Sequence, residues 1–293
     1  MRSAHSLSTA LALALALASS AAGAPPSPGG AWRLDPVWDD GNAELCAYEV
    51  SWPRYGHRFP GRAMLVLVKE PWAPELDVKA DTPRRDGFDV LKLNHVRDVP
   101  TGIYTYHQMA SLYFRRDDLA LEKVAATSSE ACGVSTAFWN GGRLELHSYF
   151  DGVADRRVRW PEGALPEDGL PALLRDWVSE AEPPAELLVL PSLLDSRLAG
   201  VEPRRVRVER RSAGELEVPG GTFDAVELHL EPATGGDAPL PADVYAFELA
   251  APHRLLELRR GDGTLYRMAR CDRLRYWEMH DPGGESWLPP AVR

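Results

Sequence analysis

The chain has 293 residues, with 33 Lys and Arg against 43 Asp and Glu, a formal charge of −10, and 44% apolar residues including 9 Trp. Such an acidic balance lacks the basic footprint of a nucleic-acid binder, while the apolar and aromatic content is enough for a substantial core. The 25 Pro and 24 Gly argue for many turns.

Residues 1–24 read as a secretory signal. Arg2 precedes an apolar run at 11–18 that alternates Leu and Ala, and Ala22-Gly23-Ala24 offers small residues at the −3 and −1 positions of a cleavage site. The run is shorter than the roughly 20 residues that a membrane span needs. The expectation is therefore an exported protein, periplasmic or extracellular, cut near Ala24, with no transmembrane segment left. Residues 25–31 form a flexible leader of Pro, Gly, Ser and Ala.

An N-terminal β unit is expected over 32–160. Strands are predicted at 43–51, 62–69, 89–94, 102–114, 121–129 and 134–139, with 143–150 pairing back onto the last across the hairpin signal Asn140-Gly141-Gly142. In the second of these, Ala63-Met64-Leu65-Val66-Leu67-Val68 is apolar on both faces, so one face needs cover and the other a packed core or cavity. Over 161–203 the apolar spacing turns helical at 170–181 and 186–198, although Pro191 interrupts the second segment. Residues 204–293 return to strands as an antiparallel meander. Turns are expected at Ser212-Ala213-Gly214, Pro219-Gly220-Gly221 and Gly261-Asp262-Gly263, and Val226, Leu228 and Leu230 alternate with Glu227 and His229.

Signatures of chemistry are weak. His95, His107 and His147 stand in no recognisable ligand pair, so no metal is expected. Asp39-Asp40 with Glu44, and Asp117-Asp118, read as solvated turn residues, and Arg260-Gly261-Asp262 matches an adhesive tripeptide, but Gly261-Asp262-Gly263 between two strands is what a hairpin requires anyway. No Ser sits in a G-x-S-x-G elbow and no Gly-rich loop cradles a phosphate, so neither catalytic residues nor a cofactor is expected. Three cysteines allow three single disulfides. Cys46 lies in a strand-like Leu45-Cys46-Ala47-Tyr48, where a small buried residue suffices, which leaves Cys132 to pair with Cys271.

The blocks Trp38-Asp39-Asp40-Gly41-Asn42-Ala43-Glu44-Leu45, Lys92-Leu93-Asn94-His95-Val96, Thr101-Gly102-Ile103-Tyr104 and Ser128-Ser129-Glu130-Ala131-Cys132-Gly133 resemble those of an uncharacterised family of secreted bacterial proteins. Some members of that family carry the label "septum formation inhibitor Maf". The blocks Leu190-Pro191-Ser192-Leu193-Leu194-Asp195 and Val218-Pro219-Gly220-Gly221-Thr222-Phe223 also resemble a broader periplasmic family. Its fold is similar to that of the lipoprotein carriers LolA and LolB, in which a curved sheet wraps an apolar cavity. The resemblance implies a bacterial envelope protein.

The fold class that follows is mainly β: a large curved antiparallel sheet or half-barrel, in one or two sheet units, with one or two short helices from the middle of the chain. Two functions fit it. The first is a non-enzymatic protein that holds a lipid or other apolar ligand in a β-sheet cavity lined by Trp52, Tyr55, Tyr104, Tyr106, Trp139 and Phe150. The second is an interaction protein that binds another envelope component through sheet edges or exposed aromatics. A hydrolase stands as a distant third.

Overall fold

The structure, a computed structural model, describes residues 31–82, 84–179, 183–197, 201–233 and 241–289. The predicted signal segment and nearly all of the predicted leader lie outside the described residues. The first half of the chain is a meander of β1 (Ala43–Arg54), β2 (His57–Ala73), β3 (Val78–Lys79), β4 (Phe88–Thr101), β5 (Tyr104–Arg115), β6 (Leu121–Glu130), β7 (Gly133–Trp139), β8 (Arg143–His147) and β9 (Arg156–Arg159). The second half contributes β10 (Ala164–Pro166), β11 (Glu186–Leu190), β12 (Arg204–Val218), β13 (Gly221–Pro232), β14 (Asp243–Glu248), β15 (Leu255–Arg259) and β16 (Leu265–Leu274). Because β1 pairs with β16, all sixteen strands belong to one sheet, ordered from β10 through β16 to β1 and on to β9, with β3 a spur on β2.

This order forces the sheet to curl. Laid flat, fifteen strands at about 4.8 Å spacing would put β9 and β10 about 67 Å apart. Yet five Cα steps join Arg159 to Ala164, and these span at most about 18 Å. The two terminal strands must therefore come close without pairing, which makes the sheet an open, barrel-like wrap. Strand alternation then sorts the side chains: Cys46, Tyr48, Val50 and Trp52 of β1, Leu65 and Leu67 of β2, Leu91 and Leu93 of β4, and Ala110, Leu112 and Phe114 of β5 join one core on the inner face.

The doubly apolar stretch of β2 is explained by cover on both sides. Leu65 and Leu67 enter the inner core, whereas Val66 and Val68 join Ala43, Leu45, Ala47 and Trp287 in a separate outer cluster. The C-terminal segment, through the 3-10 turns Tyr276–Glu278 and Gly284–Trp287, lies across the outer face there. It leaves an apolar groove of about 520 Å³ edged by Met64, Val96, Met109, Met279 and Leu288.

Three expectations are corrected. The second helix predicted over 186–198 is strand β11: Pro191 blocks helix propagation after five residues, and Leu188 and Val189 pair with both β10 and β12 instead; residue 198 lies outside the described residues. The helix predicted over 170–181 is one α turn, α1 (Leu170–Leu173), followed by the 3-10 turn Leu174–Trp177; both are packed inside the curl, and residues 180 and 181 lie outside the described residues. The turn expected at Ser212-Ala213-Gly214 is a β-bulge in a continuous β12, where the register slips between Ser212 and Gly214 and Gly214 supplies φ +67°.

The disulfide expectation is corrected as well. Cys271 bonds to Cys46, its direct cross-strand neighbour on β1 and β16 with Cα atoms 4.0 Å apart, and Cys132 is a free, exposed thiol in the β6–β7 turn. Local hydrophobicity accounted for Cys46 without a bond; the β1–β16 pairing, 225 residues apart in sequence, is what supplies its partner. Among the described residues no helix is long and apolar enough to cross a membrane.

Candidate functional site

Several inward-facing series run apolar and then turn polar at one end of the curl. On β1, Val50 and Trp52 lead to Arg54. On β4, Leu91 and Leu93 lead to His95 and Arg97, and on β5, Leu112 and Ala110 lead to Gln108. On β12, Val208 and Val206 lead to Arg204, and on β14, Phe247 and Tyr245 lead to Asp243. Register aligns part of this into a ladder. Arg97 lies opposite Gln108, Gln108 opposite Ser128, and Ser128 opposite Ser135. Arg97 Nε donates to Gln108 Oε1 at 2.8 Å, and Gln108 Nε2 donates to Ser128 Oγ at 3.0 Å.

The 161–203 connection plugs the curl beside this ladder. Gly169 lets the plug touch the wall, since a Cβ there would come 2.7 Å from Phe114 Cζ. Asp168 accepts from Ser192 Oγ at 2.5 Å and from the Leu193 amide at 2.7 Å, folding the 191–197 segment back onto the plug. Gln108 Nε2 also donates to the Leu194 carbonyl, and Ser135 Oγ donates to that of Ser196 at 2.5 Å. Between plug and wall remains a cleft of about 280 Å³, lined among others by Trp52, Arg54, Arg97, Ser196, Arg260 and Thr264.

Charge in the cleft divides into two sets. Arg204 and Arg260 are neutralised: Arg204 reaches Glu167 at 2.8 Å and Asp243 at 2.6 Å, and Arg260 pairs with the same two carboxylates. Burial pushes the pKa values of Glu167 and Asp168 upward, against the pull of Arg260 and Arg204 at Glu167 and of the Ser192 and Leu193 hydrogen bonds at Asp168. Arg54 and Arg97 differ. Their guanidinium carbons lie 5.2 and 4.9 Å from the Trp52 ring centroid, and neither has a carboxylate within ion-pair distance among the described residues. Arg54 Nε, Ser196 Oγ, Arg204 Nε and Thr264 Oγ1 are buried atoms of the cleft that lack a hydrogen-bond partner among the described residues. Unsatisfied buried polar atoms are uncommon in folded proteins, and their concentration at one cleft calls for a ligand or solvent to complete them.

Of the six residues predicted to line a cavity, four converge at the mouth of this cleft. Trp52 and Tyr106 meet edge to face at 5.0 Å, Tyr55 Oη lies 2.5 Å from Tyr106 Oη, and Tyr104 Oη donates to Tyr55 Oη at 3.3 Å. The hydrogen bonds with Tyr104 and Tyr106 lower the pKa of the Tyr55 hydroxyl below its ordinary range. Trp52 and Tyr106 are buried, whereas Tyr55 is exposed on a two-residue hairpin tip. Ile103, fully exposed at the neighbouring β4–β5 tip beside Gly102 (φ +73°), extends this rim. Phe150 lies tilted against Tyr149 at 4.2 Å beneath Arg197. Trp139 stands at the far end of β7, tilted against Trp160 at 5.0 Å, and belongs to a different surface.

The three histidines do not converge. His107 is exposed beside Asp98 at 2.9 Å and His147 beside Asp155 at 3.2 Å. His95 is buried against Tyr266 Oη at 3.2 Å, and burial, reinforced by Arg97 and Arg260, lowers its pKa to about 3. Its ordinary value is near 6.5, so the unfolded chain takes up a proton that the folded chain refuses. His95 thus costs no stability above pH 6.5 and costs up to about 1.4 kcal/mol per pH unit as pH falls from there toward 3. His95→Gln is expected to flatten the stability curve by about one proton between pH 6 and 4, measured by urea titration at each pH. An unchanged slope would refute the assignment.

Sequence reasoning missed Arg54, Arg97, Gln108, Arg204 and Arg260. Their signal was parity: Arg97 shares its face with Leu91 and Leu93, and Gln108 shares its face with Ala110 and Leu112. No family model and no curated protein matches the chain. Among solved structures it is similar to the crystal structure of a beta-barrel-like protein of a domain of unknown function, DUF1849, from Brucella abortus. That similarity has 8% identity and a TM-score of 0.45, over 79% of this chain and 98% of that one.

Proposed function

We propose that the chain is a non-enzymatic envelope protein that binds an amphiphile with an anionic head group, a lipid above all. The carrying observation is the pair Arg54 and Arg97, two guanidinium groups stacked on Trp52 at a cleft and without a carboxylate within ion-pair distance among the described residues. Guanidinium presents a fork of donors that matches a phosphate or carboxylate, and such charge-assisted bonds are about twice as strong as neutral ones. Ser196 and Thr264 add hydroxyls to the same cleft. The apolar remainder of the ligand lies over the exposed rim of Tyr55 and Ile103. Among the described residues no His or Cys lines the cleft; of its carboxylates, Glu167 is committed to Arg204 and Arg260, while Asp195 and Asp262 accept from the Arg197 and Thr264 amides in their own turns, so the arrangement favours binding over acid–base chemistry.

A second reading keeps the ligand wholly apolar and seats it in the outer groove, where Met64, Met109 and Met279 offer an adaptable surface. The test begins with mass spectrometry of an organic extract from the mature protein, purified from a bacterial periplasm without detergent. Calorimetry then compares dodecyl phosphate with dodecyltrimethylammonium. The phosphate is expected to bind, the ammonium not, and Arg54→Gln and Arg97→Gln each to weaken the phosphate about 10- to 100-fold. Equal affinity for both amphiphiles, or full affinity in the double variant, overturns the reading. Binding that is lost in Trp287→Ala but indifferent to both arginines assigns the ligand to the outer groove.

A further inference from the structure

We propose that the β8–β9 edge of the sheet docks an extended acidic segment of a partner protein by strand addition. This inference rests on a different surface from the cleft and stands independently of it. Strand β9 ends the sheet: it pairs with β8 on one side, and no further strand pairs with it among the described residues. Its other side faces β10 across the open seam of the curl and carries backbone donors and acceptors in strand geometry that no strand takes up among the described residues, the template on which an extended peptide adds.

The charge on this edge selects the partner. Arg143 of β8 lies directly opposite Arg159 of β9, both exposed, and neither has a carboxylate partner among the described residues. Like charges directly opposite in an antiparallel pair are unfavourable. Two positions along, Arg157 faces Glu145 and pairs with it at 3.0 Å, which leaves Arg143 and Arg159 as uncompensated positive charge on a chain whose net charge is −10. Alternation puts Arg157 and Arg159 on one face of β9, while Val158 between them packs on the core. Trp160 just beyond β9 also packs there and is tilted against Trp139 at 5.0 Å. The edge is thus anchored as well as charged.

Charges on an edge strand commonly serve to prevent association. Here they repel a second copy of the same edge and attract a strand of opposite sign. The fitting partner carries Asp or Glu at alternate positions, opposite Arg157 and Arg159, with apolar residues between them facing the Val158 side. A free peptide of four Glu-Val repeats, capped at both ends, meets that description, and four Lys-Val repeats serve as its control.

The experiment titrates the full mature chain with each peptide and follows amide hydrogen exchange. The acidic peptide is expected to bind and to slow exchange in residues 156–159, and the basic peptide is expected to do neither. Arg159→Glu should weaken the acidic peptide about tenfold or more, since one attraction becomes a repulsion. Its thermal midpoint should be unchanged or raised, because the new carboxylate sits opposite Arg143. This separates lost docking from lost folding. Protection confined to other strands, equal affinity in Arg159→Glu, or no binding of the acidic peptide overturns the proposal. Binding to phosphatidylglycerol vesicles without any binding of the acidic peptide also overturns it and assigns the patch to a membrane surface.

Discussion

Arg175→Ala is expected to remove about 3–5 kcal/mol of folding stability, read as a shift of the urea midpoint at constant slope. Arg175 sits in the 3-10 turn of the plug, and its guanidinium lies 2.6 Å from Glu44 on the inner face of β1, with both side chains almost wholly buried. It also donates to the carbonyls of Pro252 at 3.1 Å and Pro171 at 3.2 Å, and it lies over the Trp32 ring. Truncation would strand the Glu44 carboxylate in the core, and an uncompensated buried charge is the costly species. The neighbouring residue repeats the device: Asp176 holds Arg33 at 2.7 Å and accepts from Trp32 Nε1 at 2.6 Å. Two adjacent plug residues therefore clamp onto the N-terminal elements. If burial of an unpaired charge is the cause, Glu44→Gln combined with Arg175→Met should cost clearly less than Arg175→Ala alone. A cost below about 1 kcal/mol for Arg175→Ala would show that water reaches the pair.

Removal of the Cys46–Cys271 bond is the second large effect. The bond closes a loop of 225 residues across the β1–β16 pairing that joins the two halves of the sheet. Restriction of the unfolded chain by a loop of this length is worth about 5 kcal/mol in the entropic account, and measured losses in secreted domains run about 2–5 kcal/mol. Replacing both Cys46 and Cys271 by Ala is expected to fall in that range by urea denaturation. Cys132→Ser should leave the midpoint unchanged, because the thiol is exposed and unbonded. The reverse pattern, with Cys132 the sensitive position, would reject the β1–β16 disulfide.

The legible parts of the fold were those carried by short-range signals. Asn140-Gly141-Gly142 marks the β7–β8 hairpin through Gly141 (φ +86°), and Val226, Leu228 and Leu230 mark the inner face of β13. The apolar content of β2 announced that both its faces would be covered. Misread segments were those that a distant partner decides. Leu188 and Val189 are strand because β10 and β12 flank them, and Gly214 sits in a bulge because β13 continues past it. The aromatic residues at the cleft mouth were visible as residue types. The arginines beside them were not, since a charged residue at the end of a strand reads as solvated unless the strand's inward parity is followed to its last position.

The sequence by itself determined a mainly β chain with one helical interruption, because alternation, turn residues and proline act over a few positions. Tertiary structure alone decided that the two meanders form one sheet, that Cys46 and not Cys132 meets Cys271, and that Arg54 and Arg97 meet over Trp52. Each of these depends on closing long stretches of chain, and that closure is set by the pairing of β1 with β16 and the short link from β9 to β10. Register then does the rest: once those strands are aligned, the parity of each residue fixes whether its charge enters the cleft, the core or water.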